Sequence, residues 1–291
     1  MAIFKGSAVA IITPFTPDGI DFKAFEALIE RQITGKSDAI VVCGTTGEAS
    51  TMTAEEKLAA ISFAVKLAAK RVPIIAGTGS NNTATVIRES KAAEGAGADA
   101  LLIVTPYYNK TSQAGLIAHY NAIANAVNIP IIIYNVPGRT GLNLLPETMK
   151  KLLAHKNIVG IKEASANIEQ IVQLAAIAPE CDIYSGNDDH VLPLLSLGGC
   201  GVISTIANVI PKDMHDLCEA YFSGNIKEAA KLQFKVLPIW KAAFSEVNPI
   251  PIKTMCAMLG LCSDLLRLPL CPPSEVNRAL MEKALKDYGL M

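Results

Sequence analysis

The sequence predicts an α/β fold, a (β/α)8 barrel (TIM barrel) with a C-terminal α-helical extension. From residue 7 onwards, a short run of β-branched residues, a polar loop and an amphipathic helical segment follow one another eight times. Strands that alternate with helices are typical of parallel sheets, and eight such units in a chain of 291 residues fit one closed barrel. The predicted strands are 8–13, 39–43, 73–76, 100–104, 129–134, 158–162, 182–185 and 201–204.

The helical segments carry their own boundary signals. Segment 53–70 begins with Thr53 at the N-cap position and Glu56 three residues later, which is the pattern of a capping box. A second helix is predicted at 83–94. A doubly wound open sheet is the alternative fold, and it is disfavoured because no Gly-x-Gly-x-x-Gly motif follows the first strand.

The alternation of strands and helices ends near residue 224. From Asn225 to Met291 the pattern is helical only, with interruptions at Asn248-Pro249-Ile250-Pro251 and at 268–273. No flexible linker separates the two regions. We therefore predict a catalytic barrel at 1–224 and a helical extension at 225–291 that packs on it, instead of an independent domain.

Composition excludes several classes of function. Hydrophobic residues make up 51% of the chain and charged residues 18%, so a large core is expected. A net charge of -1 and the lack of a Lys/Arg-rich run argue against nucleic-acid binding. No run of about 18 apolar residues occurs, so no membrane span is expected. Seven scattered cysteines, none spaced Cys-x-x-Cys, predict reduced thiols in a cytoplasmic protein.

The most informative single residue is Lys162, which ends an apolar run that reads as a buried strand. Alternate side chains of a strand share a face, so Ile158, Gly160 and Lys162 are expected to point the same way. A buried ammonium group is costly, and burial lowers the pKa of a lysine. Because a neutral amine attacks carbonyl groups, Lys162 is a candidate nucleophile. The alternative is a lysine at the exposed first position of a loop.

Other polar residues follow the predicted strands, and in a barrel these positions meet on one catalytic rim. The turn Gly44-Thr45-Thr46-Gly47-Glu48 offers N–H groups and hydroxyls to a carboxylate or phosphate, although a plain βα turn would also fit. Arg139 is a candidate for bidentate carboxylate binding or, alternatively, a solvated loop arginine. Tyr134 could transfer protons near the lysine, or it could be a core tyrosine.

Other arrangements of reactive residues are weaker. The four histidines are isolated in the sequence, so we predict no metal site. Asp188-Asp189-His190 lies where a helix cap is expected, and Cys43 reads as a small buried residue.

Four motifs stand out, namely Gly-Thr-Thr-Gly-Glu at 44–48, Thr-Pro-Tyr-Tyr-Asn at 105–109, Tyr-Asn-Val-Pro-Gly-Arg-Thr-Gly at 134–141 and the strand-end Lys162. Together they resemble the 4-hydroxy-tetrahydrodipicolinate synthase (dihydrodipicolinate synthase) family of pyruvate-dependent class I aldolases and lyases. The resemblance covers essentially the whole chain. N-acetylneuraminate lyases are similar elsewhere but lack the arginine of Gly-Arg-Thr. The alternatives are a pyruvate-dependent aldolase acting on a sugar acid and a catalytically silent barrel that senses a small carboxylate.

The resemblance implies condensation of pyruvate with L-aspartate 4-semialdehyde, the first committed step of diaminopimelate and lysine biosynthesis, without a metal or organic cofactor. Lys162 would form a Schiff base with pyruvate, and Tyr134 would donate and accept protons. Thr45 and Tyr108 would complete a proton relay, with Tyr108 reaching in from a neighbouring subunit. The residues assigned to substrate binding are Thr46, Ile203, Arg139 and Gly186.

The resemblance also implies a cytoplasmic homotetramer built as a dimer of dimers. Some members are inhibited by lysine at the dimer interface, where Asn81 and Tyr107 match the sensitive pattern. At four other positions this chain differs from the sensitive pattern. Sensitive members tend to carry serine, two histidines and glutamate at these positions. We expect weak or absent lysine inhibition, since apolar or positive residues bind a cationic amino acid poorly. The four differing residues are Ala49, Ala54, Lys57 and Thr85.

Overall fold

The computed structural model of the chain describes residues 2–291, and it contains a closed barrel of eight parallel strands. Each strand pairs with the next one along the chain, and the last pairs with the first. The barrel prediction is therefore confirmed and the open-sheet alternative is wrong. The strands are β1 Gly6–Ala10, β2 Ala39–Val42, β3 Ile74–Gly77, β4 Ala100–Val104, β5 Ile131–Asn135, β6 Ile158–Glu163, β7 Asp182–Ser185 and β8 Gly201–Ser204.

Helices connect the strands on the outside of the barrel. The capping box of α2 is present, since the Glu56 N–H donates to the Thr53 hydroxyl at 3.2 Å and the Thr53 N–H donates to the Glu56 carboxylate at 2.9 Å. The helices are α1 Phe22–Thr34, α2 Ala54–Ala68, α3 Thr83–Gly95, α4 Gln113–Ala124, α5 Pro137–Thr140, α6 Pro146–Leu152, α7 Ile168–Ile177, α8 Val191–Ser196, α9 Pro211–Phe222, α10 Ile226–Ala243, α11 Ile250–Met258 and α12 Glu275–Tyr288.

The first strand is shorter and earlier than predicted. It ends at Ala10, whereas the sequence pattern continues to residue 13. The Ile12 N–H leaves the strand ladder and donates to the Asn208 side chain at 3.0 Å. A two-stranded antiparallel hairpin, Phe15–Thr16 with Gly19–Ile20, follows. A long-range side-chain acceptor therefore ends the strand, and no local sequence signal marks it.

The core has an inner layer within the barrel and an outer layer between strands and helices. Tyr134 and Ile203 belong to the inner layer, and Val159 packs against it. Ile158 belongs to the outer layer, so the prediction that it shares a face with Lys162 is wrong. The pairing of β5 with β6 shifts register between Ile131 and Ile132, and such a bulge interrupts the alternation of faces.

The last three helices, α10 to α12, cover one side of the barrel. Helix α10 packs on α9 and α12, and α11 packs on α12. Within residues 2–291, none of the helices is both long enough and apolar enough to cross a bilayer. All seven cysteines are free, and five of them are buried.

Candidate active site

A small cavity of about 80 Å³ lies at the carboxyl ends of the barrel strands. It adjoins a larger cavity of about 330 Å³, and both have Thr45, Tyr134 and Arg139 on their walls. The structure thus brings together most of the residues that the sequence placed on the catalytic rim. The smaller cavity is lined by these three and by Thr46, Lys162, Gly186, Asn248 and Thr205, among others.

Lys162 and Tyr134 are direct neighbours on adjacent strands. They are partners in the register of β5 and β6, and the Lys162 ammonium lies 4.4 Å from the centroid of the Tyr134 ring. Lys162 is 5% exposed. The alternative of an exposed lysine at the start of a loop is therefore wrong. A buried amine beside a phenol is suited to covalent chemistry with a proton donor at hand.

Burial lowers the pKa of Lys162 to about 8, the Asp188 carboxyl opposes this shift, and the Arg139 cation adds to it. At pH 7, about a tenth of the molecules then carry a neutral Lys162 amine, compared with roughly three in ten thousand for an unperturbed lysine. Burial in the barrel interior is thus the main cause of the lowered pKa of Lys162.

The phenol of Tyr134 stays protonated at neutral pH. Burial raises the pKa of Tyr134, while the Arg139 cation and the Thr45 hydroxyl lower it in part. Thr45 is exposed at the mouth of the cavity. The phenol can therefore give a proton to a bound substrate and recover it through a hydroxyl that faces water.

Asn248 connects two predicted substrate-binding residues. Its side-chain N–H donates to the Thr46 hydroxyl at 3.0 Å, and its backbone carbonyl oxygen accepts from the Arg139 guanidinium at 3.0 Å. Sequence analysis read Asn248-Pro249-Ile250-Pro251 only as an interruption between helices. Its sequence separation from Thr46 is 202 residues, so no local pattern could have revealed this contact.

Asp188 was expected to be a helix cap. The structure shows it almost fully buried in a 3-10 turn, Asp188–His190. One carboxylate oxygen accepts from the backbone N–H groups of Thr205 at 3.0 Å and Ile206 at 3.2 Å. Burial raises the pKa of Asp188, and these hydrogen bonds oppose the change. Asp188 therefore holds the loop after β8 and places a carboxyl group near Lys162.

Because Gly186 has no side chain, it leaves room for the side chain of Lys162. A Cβ atom at Gly186 would lie 2.5 Å from the Cβ of Ala164 and 3.1 Å from the Cε of Lys162. Any larger residue would displace the lysine side chain or the chain segment that follows β6.

The remaining predicted residues lie away from the small cavity. Ile203 is fully buried in the inner core and does not line it. Tyr108 is 90% exposed, with a backbone φ of 68° that is strained for an aromatic residue. Ala49 and Tyr107 line the larger cavity, whereas the Asn81 carbonyl accepts from Asn109.

Lys253 is also buried, but its surroundings differ from those of Lys162. Its ammonium is 2.5 Å from the Glu48 carboxylate, and both side chains are 0% exposed. It lines neither of the two cavities. An amine engaged in an ion pair and closed off from the cavities is not available to a substrate.

Known proteins resemble this chain along its whole length. The sequence matches the Dihydrodipicolinate synthetase family over residues 3–288. A relative from Clostridium acetobutylicum, 4-hydroxy-tetrahydrodipicolinate synthase 1, is 53% identical over 292 residues, which cover 100% of both chains. The chloride-inhibited dihydrodipicolinate synthase of Acinetobacter baumannii, complexed with pyruvate, superposes with a TM-score of 0.96 at 44% identity and covers 99% of each chain.

A further solved structure, that of the Cyanidioschyzon merolae enzyme with lysine bound, has a TM-score of 0.96, 37% identity and 100% coverage of each chain. The matches in sequence and structure span the barrel and the helical extension alike. The chain therefore belongs to the dihydrodipicolinate synthetase family.

Proposed function

We propose that this protein is a Schiff-base lyase that condenses pyruvate with L-aspartate 4-semialdehyde to form 4-hydroxy-tetrahydrodipicolinate. The observation that carries this proposal is the buried Lys162 amine, with a pKa of about 8, that lines a cavity next to the Tyr134 phenol. Membership of the family, and the name of the relative that shares 53% of the sequence, support the choice of reaction.

The chemistry begins when the neutral Lys162 amine attacks the ketone carbon of pyruvate. Loss of water gives an imine, and loss of a methyl proton converts the imine into an enamine. The enamine carbon attacks the aldehyde of the second substrate, and the amino group of that substrate then closes the ring and displaces Lys162. Each of these steps moves a proton. Tyr134 would carry it, a role supported by the 4.4 Å distance between the Lys162 ammonium and the centroid of the Tyr134 ring.

The remaining roles are part of the same proposal. Thr46 and the N–H groups of its turn would bind the pyruvate carboxylate, and Thr45 would link Tyr134 to solvent. Arg139 on the cavity wall would bind the carboxylate of the semialdehyde through paired hydrogen bonds. Tyr108, which is exposed in the single chain, would complete the relay in a neighbouring subunit.

The assembly and location form part of the same proposal. We expect a cytoplasmic homotetramer, a dimer of dimers, with the catalytic barrel at 1–224 and the helical extension at 225–291. The exposure of Tyr108 supports a partner subunit, and seven free cysteines support a reducing compartment. Sedimentation velocity checks the assembly, and a monomer with full activity would contradict it.

Borohydride trapping tests the function. Pyruvate and borohydride are expected to add a stable label to one peptide, the one that contains Lys162, and Lys162→Met should abolish both the label and turnover. Lys150→Met, on the exposed face of α6, is the matched control and should behave as the natural protein. Absence of a label, or a label on Lys253, would overturn the assignment.

The second substrate is tested separately. With pyruvate present, the enzyme should consume L-aspartate 4-semialdehyde and leave N-acetylmannosamine unchanged. The reverse result would favour an aldolase that acts on a sugar acid. Arg139 on the wall of the cavity favours the first outcome.

A further inference from the structure

The catalytic scheme leaves the most deeply buried ion pair of the protein without a role. Lys253 in α11 lies 2.5 Å from Glu48, with both side chains fully buried. Glu48 ends the turn Gly44-Thr45-Thr46-Gly47-Glu48 that carries the two threonines of the cavity. It has a left-handed φ of 54°, which is unusual for a residue with a side chain.

The other oxygen of Glu48 is also held by the helical extension. It accepts from the backbone N–H of Arg267 at 3.1 Å, and the guanidinium of Arg267 pairs with Glu56 at 2.6 Å. The centroid of the Phe15 ring lies 4.2 Å from the Lys253 ammonium and 4.1 Å from the Arg267 guanidinium. The carboxylate is therefore fixed from two directions by residues that follow the barrel.

A buried ion pair is weak support for stability, because removing two charges from water offsets most of their attraction. Its stronger effect is geometric, since a buried carboxylate must meet both of its donors to remain in place. Two residues before Glu48, Thr46 is tied to the same extension by Asn248 at 3.0 Å. Residues of the helical extension thus hold the turn in place on both sides of Gly47.

We propose that Glu48 and Lys253 are positioning residues for pyruvate, which hold the turn so that the Thr46 hydroxyl and the neighbouring N–H groups face the carboxylate of the substrate. The helical extension then stabilises the conformation of the substrate site. This inference rests on the proposed function, under which Thr46 binds that carboxylate.

The test compares Glu48→Gln, Lys253→Met and the double variant. Each single change leaves a buried charged group without its partner and is expected to lower the melting temperature strongly. The double variant is neutral and close in volume, so most of the melting temperature should return. Its KM for pyruvate is nevertheless expected to rise about tenfold, with the KM for the semialdehyde nearly unchanged, because the turn has lost its anchor.

Glu48→Asp provides a second variant if the double variant does not fold. It keeps the charge and shortens the side chain by one methylene, so it should also raise the KM for pyruvate. The matched control is Lys283→Met with Asp287→Asn, an exposed ion pair of α12 whose side-chain N–O distance is 2.6 Å. The control should leave both KM values unchanged.

The outcomes separate this inference from the proposed function. An unchanged KM for pyruvate in a folded double variant, or in Glu48→Asp, overturns the positioning role while wild-type activity stands. Failure of the wild-type protein to form a borohydride-stable adduct with pyruvate overturns the function instead.

Discussion

Asn135 and Glu163 are partners in the register of β5 and β6, and their side chains form a hydrogen bond of 3.0 Å. Each stands one residue beyond Tyr134 or Lys162, so it projects to the opposite side of the sheet. Glu163 also accepts from the Gln170 side chain at 3.1 Å and, through its other oxygen, from a backbone N–H at 2.7 Å. This outer network fixes the two strands that place the amine beside the phenol.

Glu163→Gln is expected to destabilise the fold and slow the reaction of Lys162. In the amide, an N–H donor replaces one of the two carboxylate oxygens and faces other N–H donors. This mismatch lowers the free energy of unfolding by about 1–3 kcal/mol. Thermal unfolding should show the loss, and borohydride trapping per folded molecule should slow as well. Glu180→Gln, at an exposed position, is the control. A variant that unfolds earlier but traps pyruvate at the natural rate would limit Glu163 to a structural role.

The rate of adduct formation with pyruvate is expected to rise with pH through about 8 and then level off. Burial lowers the pKa of Lys162 to about 8, so the neutral amine increases tenfold per pH unit below that value. Asp188→Asn removes a carboxyl group that opposes the shift, and it should move the midpoint to lower pH. Stopped-flow measurement of adduct formation across pH 6–10 provides the test. An identical midpoint in the variant would mean that Asp188 carries no charge in the free enzyme.

Tyr134→Phe should lower kcat by about 100-fold or more, since a positioned acid or base contributes about that factor. The phenyl ring fills nearly the same volume, so the melting temperature should change little. Pyruvate should still reach Lys162, and only the proton transfers should suffer. Turnover and trapping measured on the same samples separate these effects. Near-normal kcat would assign the proton transfers to another group.

Arg139→Ala should affect the second substrate more than the first. The guanidinium lies on the cavity wall and is held by the Asn248 carbonyl at 3.0 Å. Its loss is expected to raise the KM for the semialdehyde at least about tenfold. Pyruvate trapping at pH 9, where the Lys162 amine is mostly neutral, should continue. If the semialdehyde KM and pyruvate trapping were impaired equally, Arg139 would maintain the shape of the cavity and would not bind one substrate in particular.

Local patterns predicted the barrel, the capping box of Thr53 and Glu56 and the burial of Lys162 at the end of a strand, because each depends on neighbours in sequence. Contacts between distant segments were not predictable in this way. Glu48 meets Lys253 across 205 residues, and Asn248 meets Thr46 across 202. Such contacts are set only when the helical extension packs on the barrel.

The positions that we expect to govern lysine sensitivity lie at the larger cavity, whose wall includes Ala49, Lys57 and Tyr107. The Lys57 ammonium is 2.6 Å from the Glu89 carboxylate, and both side chains are largely buried. The Lys57 ammonium would thus repel the positive charge of a lysine ligand, and the Glu89 carboxylate that could attract it is already paired with Lys57. We expect no inhibition by L-lysine at about 1 mM, a concentration that corresponds to a binding free energy of only about -4 kcal/mol. Lys57→Ala leaves the Glu89 carboxylate free to pair with a ligand, so the affinity for L-lysine measured by titration calorimetry should increase. Half-inhibition of the natural protein by L-lysine below about 1 mM would show that Lys57 does not exclude the ligand.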